Sequence, residues 1–169
     1  MIKKDKIMLS WSGGKDCAMA LYELKRSEKY EVAGLLTTIT KDYDRISMHG
    51  VRRALLEQQA ASLGVLLIKV FIPAKCSNEI YEQAMSIAMA ELKDKGIDTI
   101  AFGDIFLEDL RVYREKNLAK AGMKAVFPLW KRDSKELIAT FLSLGFKAIT
   151  ATVDSKKLGV DFCGREINK

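Results

Sequence analysis

The sequence predicts an α/β fold, a parallel sheet covered by helices on both faces, and three observations predict it. Apolar runs of strand length alternate with amphipathic segments of helix length from Ile7 to Val153. Gly64, Gly96, Gly122 and Gly145 each fall just past an expected helix, where a left-handed residue ends it before the next strand. The first apolar run stops at a small hydroxyl and two glycines, and a helical pattern starts at once. Repeated strand–helix units with short connections build parallel sheets with right-handed crossovers.

Taken in order, Ile7–Trp11 is the first strand and Asp16–Arg26 the first helix, with Ala18, Leu21 and Leu24 at helical spacing. Glu31–Ile39 reads as a buried strand around Val32, Leu35 and Leu36. A polar loop, Thr40–Gly50, leads to a helix over Val51–Leu63 with Val51, Leu55 and Leu63 on one face. Val65–Ile72 is the next strand. The helix over Ser77–Lys95 carries Ile80, Ala84, Ile87, Ala88 and Leu92 at core spacing. Thr99–Phe102 is a short strand, Leu107–Ala121 a helix, and Ala125–Phe127 another strand. Asp133 and Glu136 have capping-box spacing before a helix whose core face is Leu137, Phe141 and Leu144. Phe146–Val153 reads as a last strand.

At 169 residues, with no repeat, low-complexity tract or Pro/Gly-rich linker, residues 1–169 are expected to form one domain. No apolar run approaches the roughly 20 residues of a membrane span, and no h-region follows the basic Met1–Lys6 start. Cys17, Cys76 and Cys163 are odd in number and without a CxxC, which argues against a disulfide framework or zinc cluster and for the cytoplasm. The net charge of +6 favours anionic partners, nucleotide first and RNA second, although the basic residues are scattered as on a solvated surface.

In open parallel sheets ligands sit beyond the carboxyl ends of the strands, so the residues just after each strand are the functional candidates. Ser12-Gly13-Gly14-Lys15 at the first strand end, with Ser10 before it, has the makings of a phosphate cradle. Helix-start amides point outward, the dipole adds partial positive charge, and glycines let phosphate oxygens approach the main chain. Walker A fails on spacing, because five residues before Gly14 stands Leu9 instead of glycine.

Thr37-Thr38-Ile39 ends the second strand, either as main chain that reads an adenine edge or as β-branched filler. Met48-His49-Gly50 closes the polar loop. His49, the sequence's one histidine, is a candidate for catalysis, capping or packing, and Arg52 and Arg53 either meet phosphate or line a solvated face. Asp104 suits Mg²⁺ ligation, ribose contact or capping of the next helix. Trp130 suits base stacking or the core, and Arg111 with Glu115 makes an i,i+4 pair. Tyr81, Met85 and Met89 form either a homodimer surface or part of the core.

Ser12-Gly13-Gly14-Lys15-Asp16-Cys17 resembles the Ser-Gly-Gly-x-Asp-Ser signature of the PP-loop of N-type ATP pyrophosphatases, with Cys17 where that pattern has serine. Leu35–Thr38, Met48–Arg53, Phe102–Ile105, Tyr113–Glu115 and Pro128–Trp130 extend the likeness, in order, to the diphthine–ammonia ligase family of PP-loop ATPases. The resemblance implies a five-stranded, adenine nucleotide α-hydrolase-like, Rossmann-like three-layer fold. It implies ATP and Mg²⁺, with Ser10, Ser12, Gly13, Gly14, Lys15, Asp16, Cys17, Thr37, Thr38, Ile39, Met48, Gly103, Asp104 and Trp130 around the nucleotide. Asp16 and Asp104 would hold the metal, and Lys15, Asp16, Asp104 and His49 would be the catalytic set. The implied chemistry is adenylation of a substrate carboxylate with release of pyrophosphate, then displacement of AMP by ammonia. Family members continue past the closing stretch into a segment rich in Gly, Glu and His, whereas this sequence ends at Gly164–Lys169. The resemblance therefore reaches the nucleotide half and leaves the acceptor open. A tRNA-modifying PP-loop enzyme and a non-catalytic nucleotide-binding module are the alternatives.

Overall fold

The computed structural model of the chain describes residues 4–168; Met1–Lys3 of the basic start and the terminal Lys169 lie outside the described residues. The chain forms two compact units, Met1–Trp130 and Lys131–Lys169.

The first unit runs β1 (Asp5–Ser10), α1 (Lys15–Arg26), β2 (Tyr30–Thr40), β3 (Arg45–Ile46), α2 (Arg53–Leu63), β4 (Leu66–Ile72), α3 (Asn78–Asp94), β5 (Thr99–Ala101), α4 (Glu108–Lys120) and β6 (Lys124–Val126). The parallel strands lie in the order β4-β2-β1-β5-β6. Strands are therefore added to one side of β1 first and to its other side afterwards, so the order reverses between β1 and β5. β3 pairs antiparallel with the last residues of β2, Ile39↔Ile46 and Thr40↔Arg45, while β4 occupies the other edge of β2. It thus lies beyond the carboxyl end of β1, and the Ser47 N–H donates to the Thr38 carbonyl at 2.9 Å.

Ile7, Met8 and Leu9 are fully buried because β1 is central and covered on both faces. One face joins Met8, Leu36, Val70 and Ile100 to Ala88, Met89 and Leu92 of α3 and Leu118 of α4. The alternate residues Ile7, Leu9, Leu35 and Ile39 point to the opposite face, where α1 and α2 contact the sheet and bury Leu21, Leu24, Leu56 and Ala60. Each large apolar side chain buried this way contributes about 1.5–3 kcal/mol.

Some expected core positions move. Ile80, Ile87 and Leu55 are half exposed, and the inward stripes run through Met85, Ala88, Met89 and Leu92 on α3 and through Leu56 and Ala60 on α2. Met85 and Met89 pack on the core, so that face of α3 is not a free pairing surface. Gly64, Gly96, Gly122 and Gly145 all adopt positive φ.

In the second unit α5 (Ser134–Ser143) is capped by Asp133, whose carboxylate accepts from the Lys135 and Glu136 amides at 2.9 Å. Phe146–Val153 is not a strand, and only Ile149 bridges, to Glu166. Its main chain is matched by the closing segment instead, through Thr150 N–H to Arg165 O, Gly164 N–H to Thr150 O and Ile167 N–H to Ala148 O. Phe146 stacks on Phe141 with ring centroids 5.2 Å apart, so the first apolar residue of the run packs on α5, while Ile149 is exposed.

Candidate functional site

The strand order reverses between β1 and β5, the kind of place where open α/β sheets bind ligands, and the carboxyl ends of both strands carry sequence-selected residues. From β1 the chain passes through Ser10, Trp11, Ser12, Gly13 and Gly14 into α1. Gly14 is the N-cap residue, in extended conformation, and no side chain caps the helix. The first-turn amides of α1 are thus left to a ligand, and an anion suits both them and the dipole. Lys15, partly exposed, pairs at 2.5 Å with the adjacent Asp16 carboxylate.

From β5 the chain passes through Phe102 into Gly103 and Asp104. A Cβ on Gly103 would lie 3.1 Å from the backbone C and O of Asp16 and from the Cys17 amide nitrogen. The bare glycine lets the end of β5 lie against the first turn of α1, which brings Asp104 and Asp16 to one place. Asp104 does not cap α4, whose N-cap is Leu107 with no side-chain bond. Its carboxylate goes to Arg114, with Nε to Oδ2 at 2.8 Å, at ion-pair distance but without hydrogen-bond alignment. Arg114 Nη2 also donates to Oδ1 at 3.5 Å, so Oδ2 is buried against a guanidinium already in place. Mg²⁺ takes one or two carboxylates and completes its shell with phosphate oxygens and water, so at Asp104 it would share the carboxylate with Arg114.

Arg114 lies over the Phe102 ring at 4.2 Å, Phe102 stacks on Phe127 at 5.5 Å, and Phe127 meets Trp130 edge-on at 5.8 Å. Arg111 covers both Phe127 and Trp130, the latter at 4.7 Å. Trp130 is thus tied to Asp104 through an aromatic–guanidinium cluster, and one indole face already carries Arg111.

Cys17 is buried and turned to the loop itself. Its sulfur accepts from the Ser12 amide at 3.4 Å, lies 3.1 Å from the Ser12 hydroxyl and donates to the Ser10 carbonyl at 3.6 Å. Burial pushes the thiol up, against the lowering effect of the Ser12 hydrogen bonds, and the Asp16 and Asp104 charges add to the rise. The neutral thiol ties the two ends of the turn together.

At the end of β2, the Thr38 carbonyl accepts from Ser47, and Ile39 lies in ladders with both β3 and β4. The group left over is the Thr37 hydroxyl, buried with no hydrogen-bond partner among the described residues. A lone buried hydroxyl costs about 1–3 kcal/mol, so this one suits a ligand or water. Met48 and His49 are exposed on the turn after β3, Met48 with φ 70°.

Sequence reasoning missed Gln59 of α2, which donates to the Gly13 carbonyl at 3.2 Å and accepts from the Trp11 indole N–H at 3.0 Å. The signal was there. Leu56, Gln59, Ala60 and Leu63 are spaced i, i+3, i+4, i+7, which puts an amide on the inward stripe of α2.

Residues 5–125 match the family model described as diphthamide synthase N-terminal domain. No curated protein sequence matches the chain. Among solved structures, a predicted subunit of tRNA methyltransferase from Methanocaldococcus jannaschii superposes with TM-score 0.51 at 18% identity, over 80% of this chain and 73% of that one. The U34-tRNA thiolase NcsA from Methanococcus maripaludis, solved with its [4Fe-4S] cluster, gives TM-score 0.55 at 15% identity, over 95% of this chain and 64% of that one. At such identities the likeness is one of fold. Among the described residues no helix is long and apolar enough to cross a membrane.

Proposed function

The chain belongs to the diphthamide synthase N-terminal domain family, and from that premise we propose that it binds ATP at the β1–α1 loop and adenylates a substrate carboxylate. The observation that carries this reading is the uncapped start of α1, with Gly103 bringing the Asp104 strand end against it. In the proposed reaction a carboxylate oxygen of the acceptor attacks the α-phosphorus of ATP. The bond from that phosphorus to its bridging oxygen breaks, and pyrophosphate departs with the electron pair. Ammonia then attacks the acyl carbon and gives up a proton, and AMP leaves, so an amide replaces the carboxylate. Diphthine is the named acceptor.

The residues divide the work by charge. Gly13, Gly14 and the first-turn amides of α1 face the pyrophosphate oxygens, where donors are worth most as charge grows on the leaving group. Lys15 adds a point charge, which requires it to leave its partner Asp16. Asp104, paired with Arg114, and Asp16, paired with Lys15, are the carboxylates that would hold Mg²⁺. The metal, when bound, shares the negative charge of the triphosphate. The Thr37 hydroxyl is offered to the nucleoside half.

ATP–pyrophosphate exchange tests the reading. Exchange dependent on a carboxylate acceptor, with AMP as the nucleotide product, is the expected result. Formation of ADP would sink the mechanism. AMP release stimulated by RNA would move the chain to the tRNA-modifying reading, and ATP binding without turnover on any acceptor to the nucleotide-binding module.

A further inference from the structure

We propose that Gln59 is a positioning residue that holds the Gly13–Gly14 peptide in its anion-binding orientation. This deepens the nucleotide reading and rests on it. The Gln59 amide has one possible assignment at this place. The indole N–H of Trp11 can only donate and the Gly13 carbonyl can only accept, so Oε1 must face Trp11 and Nε2 must face Gly13, as observed at 3.0 and 3.2 Å. Trp11 is buried, so its indole is a fixed anchor.

The consequence lies in the next peptide group. In a planar trans peptide the carbonyl and the following N–H point opposite ways. Anchoring the Gly13 oxygen towards α2 therefore directs the Gly14 N–H away from α2, to the open side of the turn. A flip of that peptide turns ψ of Gly13 and φ of Gly14, and glycine at both places makes the flip cheap. The flipped peptide would present a carbonyl oxygen where an anion has to sit. Gly13 already stands at φ 78°, and a Cβ there would come within 2.8 Å of Gln59 Oε1, so glycine and amide are fitted to one another. Glycine lets phosphate approach, and Gln59 removes the ambiguity that glycine introduces.

The full chain is tested by calorimetric titration with inorganic pyrophosphate and, separately, with adenosine. Gln59→Met removes donor and acceptor without adding charge. Gln59→Glu keeps the acceptor for Trp11 and loses the donor to Gly13. Pyrophosphate affinity is expected to fall at least tenfold in both, with adenosine affinity unchanged. The Trp11 indole N–H resonance, assigned through Trp11→Phe, should persist in Gln59→Glu, which shows the fold and the anchor intact. Wild-type pyrophosphate affinity in Gln59→Met overturns the proposal, as does an equal loss for adenosine, which would mean general damage. A wild-type chain that binds neither probe overturns the nucleotide reading and this proposal with it.

Discussion

A Cβ on Gly103 would meet main-chain atoms of Asp16 and Cys17 at 3.1 Å, and main chain cannot swing aside as a side-chain tip can. Gly103→Ala should therefore push the end of β5 off the first turn of α1. We expect a loss of about 1–3 kcal/mol, the usual cost of overpacking, read from denaturant midpoints, and a larger fractional loss in ATP affinity. An alanine variant with wild-type affinity would show that the two strand ends need not touch. At Cys17, burial holds the thiol above its ordinary value of 9.0. Iodoacetamide at pH 7 should label the exposed Cys163 and spare Cys17, as peptide mass mapping will show. At this scale the glycine turn from β1 into α1 was legible because its signal is local: a hydroxyl, two glycines and a lysine in sequence. Gln59 is legible only as an amide on the inward stripe of α2, since its partners Trp11 and Gly13 are 48 and 46 residues away.

The β2–β3 turn is held by charge as well as by its short ladder. Asp44 pairs with Arg53, Arg53 with Glu57 and Glu57 with Lys69, a chain that links the turn to α2 and β4. Arg53 hydrogen bonding holds the Asp44 carboxyl below its ordinary 3.8, and Lys69, then Arg53, hold Glu57 below its ordinary 4.5. A lowered folded-state pKa adds stability that is present above the ordinary value and lost as pH falls through the lowered one. The melting temperature of Arg53→Met should thus lie below wild type at pH 7, and the gap should narrow as pH falls below the ordinary values and both carboxylates are protonated. A gap that stays constant with pH would mean that Arg53 acts by packing alone. Added salt should narrow it too, because these groups are exposed. On α3 the Ser77 hydroxyl accepts from the Ile80 amide, so Ser77→Ala should cost about 1 kcal/mol in the same denaturation assay. Periodicity finds each α-helix and places Ala84, Ala88 and Leu92 of α3 on the core, but Met85 and Met89 take the inward places expected of Ile80 and Ile87, and on α2 Leu56 and Ala60 are buried where Leu55 was expected. Phe146–Val153 also reads as a strand, although the segment makes a single bridge, Ile149 to Glu166.

For the whole molecule, strand order is what local pattern cannot carry. Alternating strands and helices announce a parallel sheet, but whether a later strand joins one edge or the other depends on contacts far apart in sequence. Here β5 pairs with β1 across Ile7↔Thr99 to Leu9↔Ala101, and this reversal puts the cradle beside Asp104. The nucleotide proposed to bind there would bind the folded chain and not the unfolded one, so it would raise global stability. At one hundred times its dissociation constant it adds about 2.7 kcal/mol, which for a chain of this size moves the melting temperature by about 5–10 °C. Lys15 tests whether that gain comes from the cradle. Its side chain is 41% exposed and, among the described residues, paired with the neighbouring Asp16 alone, so Lys15→Ala should melt within about 1 °C of wild type without nucleotide. With Mg·ATP held at the concentration that stabilises wild type, the variant should show a much smaller shift, and scanning fluorimetry measures both. An equal shift in the two proteins would place the nucleotide away from the β1–α1 loop. A variant already destabilised without nucleotide would instead give Lys15 a structural role that its contacts do not suggest.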